Sequence, residues 1–282
     1  MRLVSYRGAG APRAGLLTDE GLFDAAEILG GNQVSLRQLL AEDRLGELRA
    51  RIDEGAPDGV QPVAGAELLP PLPDPDKIVC IGLNYRSHAA EAGIDPPSEP
   101  TFFAKFRNAL APAGATVPLP AASQKVDYEA EVAFVVGRRS REVDSADASD
   151  AIAGYMLLND LSARDLQFAT PQWMPGKVFD GSAPCGPSLV TPEEAETPDG
   201  ISFALDLNGE RMQEASTTDL IFSPAELLAR LSRWMTLEPG DVVSTGTPSG
   251  VGSVREPPVW LKAGDEIVIS SPTLGELRTA IG

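Results

Sequence analysis

The chain is written in short apolar runs bounded by Gly, Pro, Asp and Asn. Ile78 to Ile81, Val132 to Val136, Tyr155 to Leu158, Phe203 to Leu207, Val242 to Ser244 and Glu266 to Ile269 each have the length and β-branched content of a strand. One clear helix lies among them. Pro224 to Trp234 follows Ser223 as N-cap, with Pro224 at the first helical position and Glu226 as the acidic third residue. Many strands and few helices predict an antiparallel or mixed, β-rich α+β core and exclude a doubly wound parallel sheet.

The first seventy residues read as a small α+β unit. Leu3 to Tyr6, Ala14 to Thr18 and Gly21 to Phe23 predict short strands, with Gly8-Ala9-Gly10 as a hairpin turn. A helix starts after Ser35, and Leu36, Leu39, Leu40, Leu45 and Leu48 keep roughly helical spacing, with an interruption near Gly46. The proline-dense stretch from Leu69 to Asp76 cannot continue a helix or sit in a central strand, so it reads as a stiff linker. The predicted division is residues 1–69 as an N-terminal domain, 70–76 as linker and 77–282 as a catalytic domain.

Composition adds exclusions. The formal net charge of −18 argues against nucleic acid and anionic membranes as partners, since both need a basic footprint. No run has the length of a membrane span, and Met1 to Arg7 lacks the apolar core of a secretory signal, so a cytoplasmic location is expected. Of the two cysteines, Cys80 lies in an apolar run and Cys185 in a Pro-Gly loop. Neither has a C-x-x-C partner, and a buried structural thiol is the reading for Cys80.

Three segments carry candidate chemistry. Glu129-Ala130-Glu131 precedes a strand-like run, so the two glutamates project from one face beside apolar residues. Two like charges there are unfavourable unless a cation joins them, although a solvated edge strand would read the same. Asp160 ends the run Gly154 to Asp160 and adds a third carboxylate, or else serves as a strand-end cap. Three carboxylates without Cys or further His make a hard oxygen set, suited to Mg²⁺, Mn²⁺ or Ca²⁺. His88 is the only histidine, and on a helical turn Glu91 would share its face and orient the ring as a general base; alone, it reads equally as a packing residue. Arg164 could fork onto a substrate carboxylate and Lys177 could neutralise developing charge, or both are surface cations. Ser244 to Gly252 is a small-residue loop that lets backbone approach a small ligand; it lacks the ending of a phosphate-binding P-loop. Phe102, Phe103, Phe168, Trp173 and Met174 are candidates for shaping a pocket.

Together these segments resemble the fumarylacetoacetate hydrolase family. The likeness runs from Lys77 to the C-terminus. It is carried by Gly-Leu-Asn-Tyr with His88-Ala-Ala-Glu91, by Asp127-Tyr128-Glu129-Ala130-Glu131, by Asn159-Asp160-Leu-Ser-Ala-Arg164-Asp165-Leu-Gln167, by Gly176-Lys177, and by Gly246-Thr247-Pro248-Ser249-Gly250-Val251-Gly252. The resemblance implies a mixed β-sandwich roll behind a small N-terminal domain, in a homodimer. It implies metal ligation by Glu129, Glu131 and Asp160, catalysis by His88, Glu91 and Lys177, and substrate contacts by Tyr85, Arg86, Arg164, Gln167 and Thr247. Residues 77 to 87 hold no carboxylate, unlike the founding hydrolase, which points to the acylpyruvase branch with Mg²⁺ or Mn²⁺ ahead of Ca²⁺. The implied activity is hydrolysis of a C–C bond in an acylpyruvate or related 2,4-dioxo acid. His88 and Glu91 would activate water while a metal holds the small 2-oxo acid. Oxaloacetate decarboxylation and 2-hydroxydienedioate isomerisation are the alternatives at the same site.

Overall fold

The computed structural model describes residues 1–55 and 59–282. Residues 56–58, inside the predicted N-terminal unit, lie outside the described residues. Every strand named above forms, most of them a residue or two longer than the apolar run itself. The helix Pro224–Trp234 has the predicted bounds, and its capping box is complete: Ser223 Oγ accepts from the Glu226 amide while the Glu226 carboxylate accepts from the Ser223 amide.

Two sheets make the body. The larger has eleven strands among the described residues. Its central part runs Ala183–Val190, Ile152–Asn159, Ala130–Val136, Val242–Ser244, Ile78–Gly82 and Thr101–Lys105. Val242–Ser244 pairs parallel to Ile78–Gly82 and antiparallel to Ala130–Val136, so the sheet is mixed. The smaller sheet has five strands, in the order Glu210–Ser216, Ser202–Leu207, Glu266–Ser271, Gly275–Ile281 and Thr116–Val117.

Alternation along Ala130–Val136 shows how the layers meet. Val132, Phe134 and Val136 join a core with Phe203, Leu205, Ile267, Ile269 and Leu277 of the smaller sheet. Ala133 and Val135, on the opposite face, join a second core with Ala26, Ile28, Leu36, Leu39 and Leu48 of the N-terminal helices. A strand covered on both faces has no solvent side, which is why its sequence reads as a continuous apolar run. Burying a side chain the size of Phe134 contributes roughly 1.5–3 kcal/mol.

The first strands belong to the same sheet. Arg2–Arg7 pairs antiparallel with Ala183–Val190 on one side and Pro12–Thr18 on the other. The proline-dense stretch packs down: Pro70, Pro71 and Leu72 are buried, and Ser5 Oγ donates to the Pro71 carbonyl. The helix interruption falls at Glu42 to Arg44, where Asp43 takes a positive φ of 53°. Gly46 lies inside the next helix, Leu45–Asp53. Both thiols are free and buried, and burial pushes each above its ordinary value, Cys185 to about 12. No helix among the described residues is long and apolar enough to cross a membrane.

Candidate active site

The site lies where strand ends of the larger sheet converge. Glu131 is the second residue of Ala130–Val136, Glu129 immediately precedes that strand, and Asp160 immediately follows Ile152–Asn159. The two strands pair Ala130 with Asn159, and the Asp160 amide donates to the Glu129 carbonyl at 2.9 Å. Pairing thus brings the three carboxylates together, with one oxygen from each lying within 4.8 Å of the other two. All three are buried.

Three buried cations answer this charge. Lys177 Nζ bridges Glu129 Oε2 at 2.7 Å and Asp160 Oδ2 at 2.8 Å. Lys105 Nζ lies 2.8 Å from Asp160 Oδ1, outside hydrogen-bond geometry, and donates to the Lys177 and Ser182 carbonyls. Arg164 Nη1 reaches Glu129 Oε1 at 2.7 Å, while its Nε and Nη2 fork onto Asp127 Oδ2 at 2.9 and 2.8 Å. Burial works against ionised Glu129, but Lys177 and Arg164 outweigh it and hold the carboxyl down at about 2. Glu131 has no such cation. Burial, then Asp160 and Glu129, push it well above the carboxylate range, despite hydrogen bonds from Ser244 Oγ and the Gly246 amide.

That imbalance fits a hard divalent cation. The donor set is carboxylate oxygen alone, Asp160 Oδ1 has no hydrogen-bond donor, and Glu131 is destabilised by the two neighbours that would share the ion. Glu129, Glu131 and Asp160 are the residues that would hold it.

His88 stands on the helix Arg86–Ala92, which follows the strand Ile78–Gly82 through a turn with Leu83 at a positive φ of 54°. Asn84 fixes the turn by donating to the Phe222 and Thr245 carbonyls and accepting from the Phe222 amide. The His88 Nδ1 is 3.0 Å from Glu91 Oε2, and the other Glu91 oxygen accepts from the Gly250 amide at 2.9 Å. A carboxylate at Nδ1 favours the tautomer protonated there, which leaves Nε2 as a base.

These groups line a cavity of ≈ 340 Å³: His88, Glu129, Glu131, Asp160, Arg164, Gln167, Lys177 and Thr247 at its polar end, and Phe103, Phe168 and Trp173 among its apolar walls. A larger cleft of ≈ 670 Å³, between Leu40, Arg49, Arg138 and Glu193, contains none of the candidate residues.

Several expectations change. Tyr85 does not reach the cavity: it is fully buried in the core, edge-on to Phe203. Arg86 points elsewhere and donates to the Leu220 carbonyl at 2.6 Å. The Arg164 fork meets Asp127, not open space, and its remaining nitrogen is shared by Glu129 and Gln167 Oε1. The Thr247 hydroxyl lines the cavity with its proton donated to the Ala130 carbonyl. The 244–252 loop approaches the site's own carboxylates through its amides. Gly246, at φ 97°, donates to Glu131, and Gly252 donates to Asp127 so closely that a Cβ there would lie 2.7 Å from Asp127 Oδ1. Phe102 stacks on Trp234 outside the cavity, and Met174 is absent from its lining.

Asp127 entered the sequence motifs without a role, and Lys105 did not enter them at all. Asp127 had a visible signal: it continues the alternation 127, 129, 131 that marked the glutamates. Lys105 closes the run Phe102-Phe103-Ala104, and a lysine ending an apolar strand was the clue.

Comparison with known proteins agrees with this architecture. Residues 77–282 match the family model described as fumarylacetoacetate (FAA) hydrolase, C-terminal. A mitochondrial oxaloacetate tautomerase from Xenopus laevis is 36% identical over 290 residues, covering 100% of this chain and 90% of that protein. The crystal structure of 2-hydroxyhepta-2,4-diene-1,7-dioate isomerase from Mycobacterium marinum superposes with a TM-score of 0.76 at 29% identity, covering 100% of this chain and 98% of that one. Maleylpyruvate hydrolase from Sphingobium sp. SYK-6, crystallised with manganese(II) and pyruvate, gives 0.79 at 28% identity, covering 100% of both chains. With the family's segments matched along the chain and its architecture matched from end to end, this chain belongs to the fumarylacetoacetate hydrolase family.

Proposed function

We propose that the chain is a Mg²⁺- or Mn²⁺-dependent hydrolase that cleaves the C–C bond of an acylpyruvate. One observation carries this reading. His88, held through Nδ1 by Glu91 and so by the Gly250 amide, lines the same cavity as three buried carboxylates and Lys177. A cation on Glu129, Glu131 and Asp160 would supply Lewis-acid polarisation of the 2-oxo group. His88 Nε2 takes a proton from water, which attacks the acyl carbonyl, and Glu91 holds the imidazolium that results. The C–C bond then breaks with its electron pair passing to the pyruvyl carbon as an enolate. Lys177 donates two of its N–H hydrogen bonds to Glu129 and Asp160, so its third N–H remains for the enolate oxygen. Return of the imidazolium proton to the enolate carbon restores His88 and completes pyruvate and a free carboxylic acid.

Tautomerisation of oxaloacetate is the second reading, favoured by the identity to an oxaloacetate tautomerase along the whole chain. It needs the same enolate and a proton moved by His88, but no attacking water. Metal-stripped protein given acetylpyruvate and oxaloacetate, with and without Mg²⁺ or Mn²⁺, separates the two. Metal-dependent release of acetate and pyruvate supports the hydrolase. Metal-dependent keto–enol conversion of oxaloacetate with acetylpyruvate untouched replaces it with the tautomerase.

A further inference from the structure

We infer that Gln213, carried on a bulged strand of the smaller sheet, is a positioning residue of the site: its carboxamide fixes the backbone between Glu129 and Glu131 together with the Thr247 hydroxyl, and so presets the two glutamates for a divalent ion. The inference deepens the proposed function and rests on it in one respect, the assignment of those glutamates as metal ligands.

The need arises where a strand pairing ends. Val242–Ser244 pairs with Ala130–Val136 only as far as Ser244 opposite Ala133. Next to that point the Val132 carbonyl accepts from the Thr245 amide and hydroxyl. At Ala130 side chains take over the ladder. Its amide donates to Gln213 Oε1 and its carbonyl accepts from Thr247 Oγ1, both at 2.9 Å. Gln213 Nε2 lies 2.9 Å from Thr247 Oγ1, and 3.1 and 3.4 Å from the Pro248 and Ser249 carbonyls. A backbone amide only donates and a carbonyl only accepts, so the carboxamide has one orientation. Thr247 Oγ1 therefore accepts from Gln213 and donates its own O–H to Ala130. The three residues close a ring, and all three are buried. Glu129 and Glu131 flank Ala130. Like charges repel, so carboxylates that must converge on one ion depend on a backbone between them that does not yield.

The strand Glu210–Ser216 is shaped to deliver this side chain. Leu205 pairs with Gln213 but Asp206 pairs with Arg211, so Met212 is an extra residue in the ladder, a β-bulge. Regular alternation would turn one of two neighbours outward, yet Met212 and Gln213 are both buried, between exposed Arg211 and Glu214. A bulge of this kind re-aims a side chain, here across to the other sheet. It also sets the Met212 carbonyl against Gly250, where any Cβ would collide with that oxygen, and the same carbonyl accepts from Arg255 Nη2 at 2.7 Å. Gly250 is the residue whose amide holds Glu91, so the bulge braces the loop that orients the base as well.

Calorimetric titration of the metal-free full chain with Mg²⁺, at a temperature where circular dichroism finds each variant folded, tests this without turnover. Gln213→Met keeps the length of the side chain and removes both hydrogen-bonding ends. Its Kd for Mg²⁺ should rise at least about tenfold, the usual effect of removing a group that orients a metal ligand. Thr247→Val opens the ring at another member and leaves the Ala130 amide on Gln213; it should also raise the Kd, and Thr247→Ser should restore it. The loss in the double variant Gln213→Met, Thr247→Val should fall short of the product of the single losses, because both open one ring. A residue that merely joined the sheets would lower Tm and leave Mg²⁺ affinity unchanged. Unchanged affinity in folded Gln213→Met therefore overturns the inference, as does a double variant whose loss equals the product. If Gln213→Met does not fold, the Thr247 variants decide, and equal affinity in parent, Thr247→Val and Thr247→Ser overturns it. Glu131→Gln separates the two levels. If it binds Mg²⁺ as the parent does, the ligand assignment falls and the inference with it. If it loses Mg²⁺ while Gln213→Met does not, only the positioning role falls.

Discussion

Asp127→Asn tests whether the site depends on a carboxylate that is neither one of the three clustered metal-ligand candidates nor itself part of the cavity lining, and acts through Arg164. The substitution keeps shape and volume, so no void confuses the result. Asp127 is fully buried, accepts four hydrogen bonds, from Arg164 Nε and the Tyr128, Gly252 and Ser253 amides, and has Arg164 Nη2 at ion-pair distance. An amide in its place turns an NH₂ group toward one set of donors and removes the charge opposite a buried guanidinium. Breaking a buried ion pair by removing one partner costs about 3–5 kcal/mol. Arg164 keeps Glu129 at 2.7 Å, which places the expected loss near the lower end, about 3 kcal/mol. For a chain of this size that is a fall in Tm of roughly 6–12 °C. Urea unfolding and calorimetry of the metal-free protein measure it directly. A loss below about 1 kcal/mol would refute the reasoning, because it would mean that the buried pair contributes no more than an exposed one.

Three further outcomes are expected. His88→Ala should bind Mg²⁺ with unchanged affinity by calorimetry and lose about 10²–10⁴ in kcat, the usual share of a general base; near-normal turnover would remove His88 from that role. Glu131→Gln should raise the metal-free unfolding free energy, since it relieves a carboxyl group that burial, Asp160 and Glu129 all disfavour as an anion. It should also abolish the stabilisation that Mg²⁺ gives the native chain, and equal metal stabilisation in variant and parent would break the ligand assignment. Asp24 supplies a pH test. Burial opposes its charge, but bonds from Arg13, Tyr6 and the Glu27 amide outweigh burial and hold its pKa below the ordinary value. A depressed carboxylate contributes stability above its unfolded pKa of about 3.9, lost as pH falls toward the folded value. Unfolding curves from pH 6 to pH 2 should therefore be flatter for Asp24→Asn than for the parent below about pH 4.

The parts legible in the sequence are those set by local rules. The Pro224–Trp234 helix announces itself through Ser223, Pro224 and Glu226, and the carboxylate cluster that could hold a metal through alternation at Glu129 and Glu131 plus a strand-ending Asp160. His88 and Glu91 meet because a helix places positions three apart on one face. What stayed hidden depends on long-range partners. Tyr85 sits next to the working helix, yet its direction is set by Phe203, more than a hundred residues on. Arg164 has the chemistry to grip a substrate, and only the fold shows that Asp127 takes its fork first. The pairing of Arg2–Arg7 with Ala183–Val190 likewise joins segments that no local pattern connects.

Gln213 has a consequence for how the molecule breathes. Its strand, Glu210–Ser216, lies in the smaller sheet, yet its side chain accepts from the Ala130 amide at 2.9 Å and donates to Thr247 Oγ1 and the Pro248 carbonyl on the larger sheet's side of the site. The Ala130 proton is held neither by a strand partner nor by solvent but by this one carboxamide. It can exchange with deuterium only when the two layers part at that point. Its exchange rate is therefore a clock for the opening of the layers beside the carboxylates, readable at a single amide while the rest of the sheet stays closed.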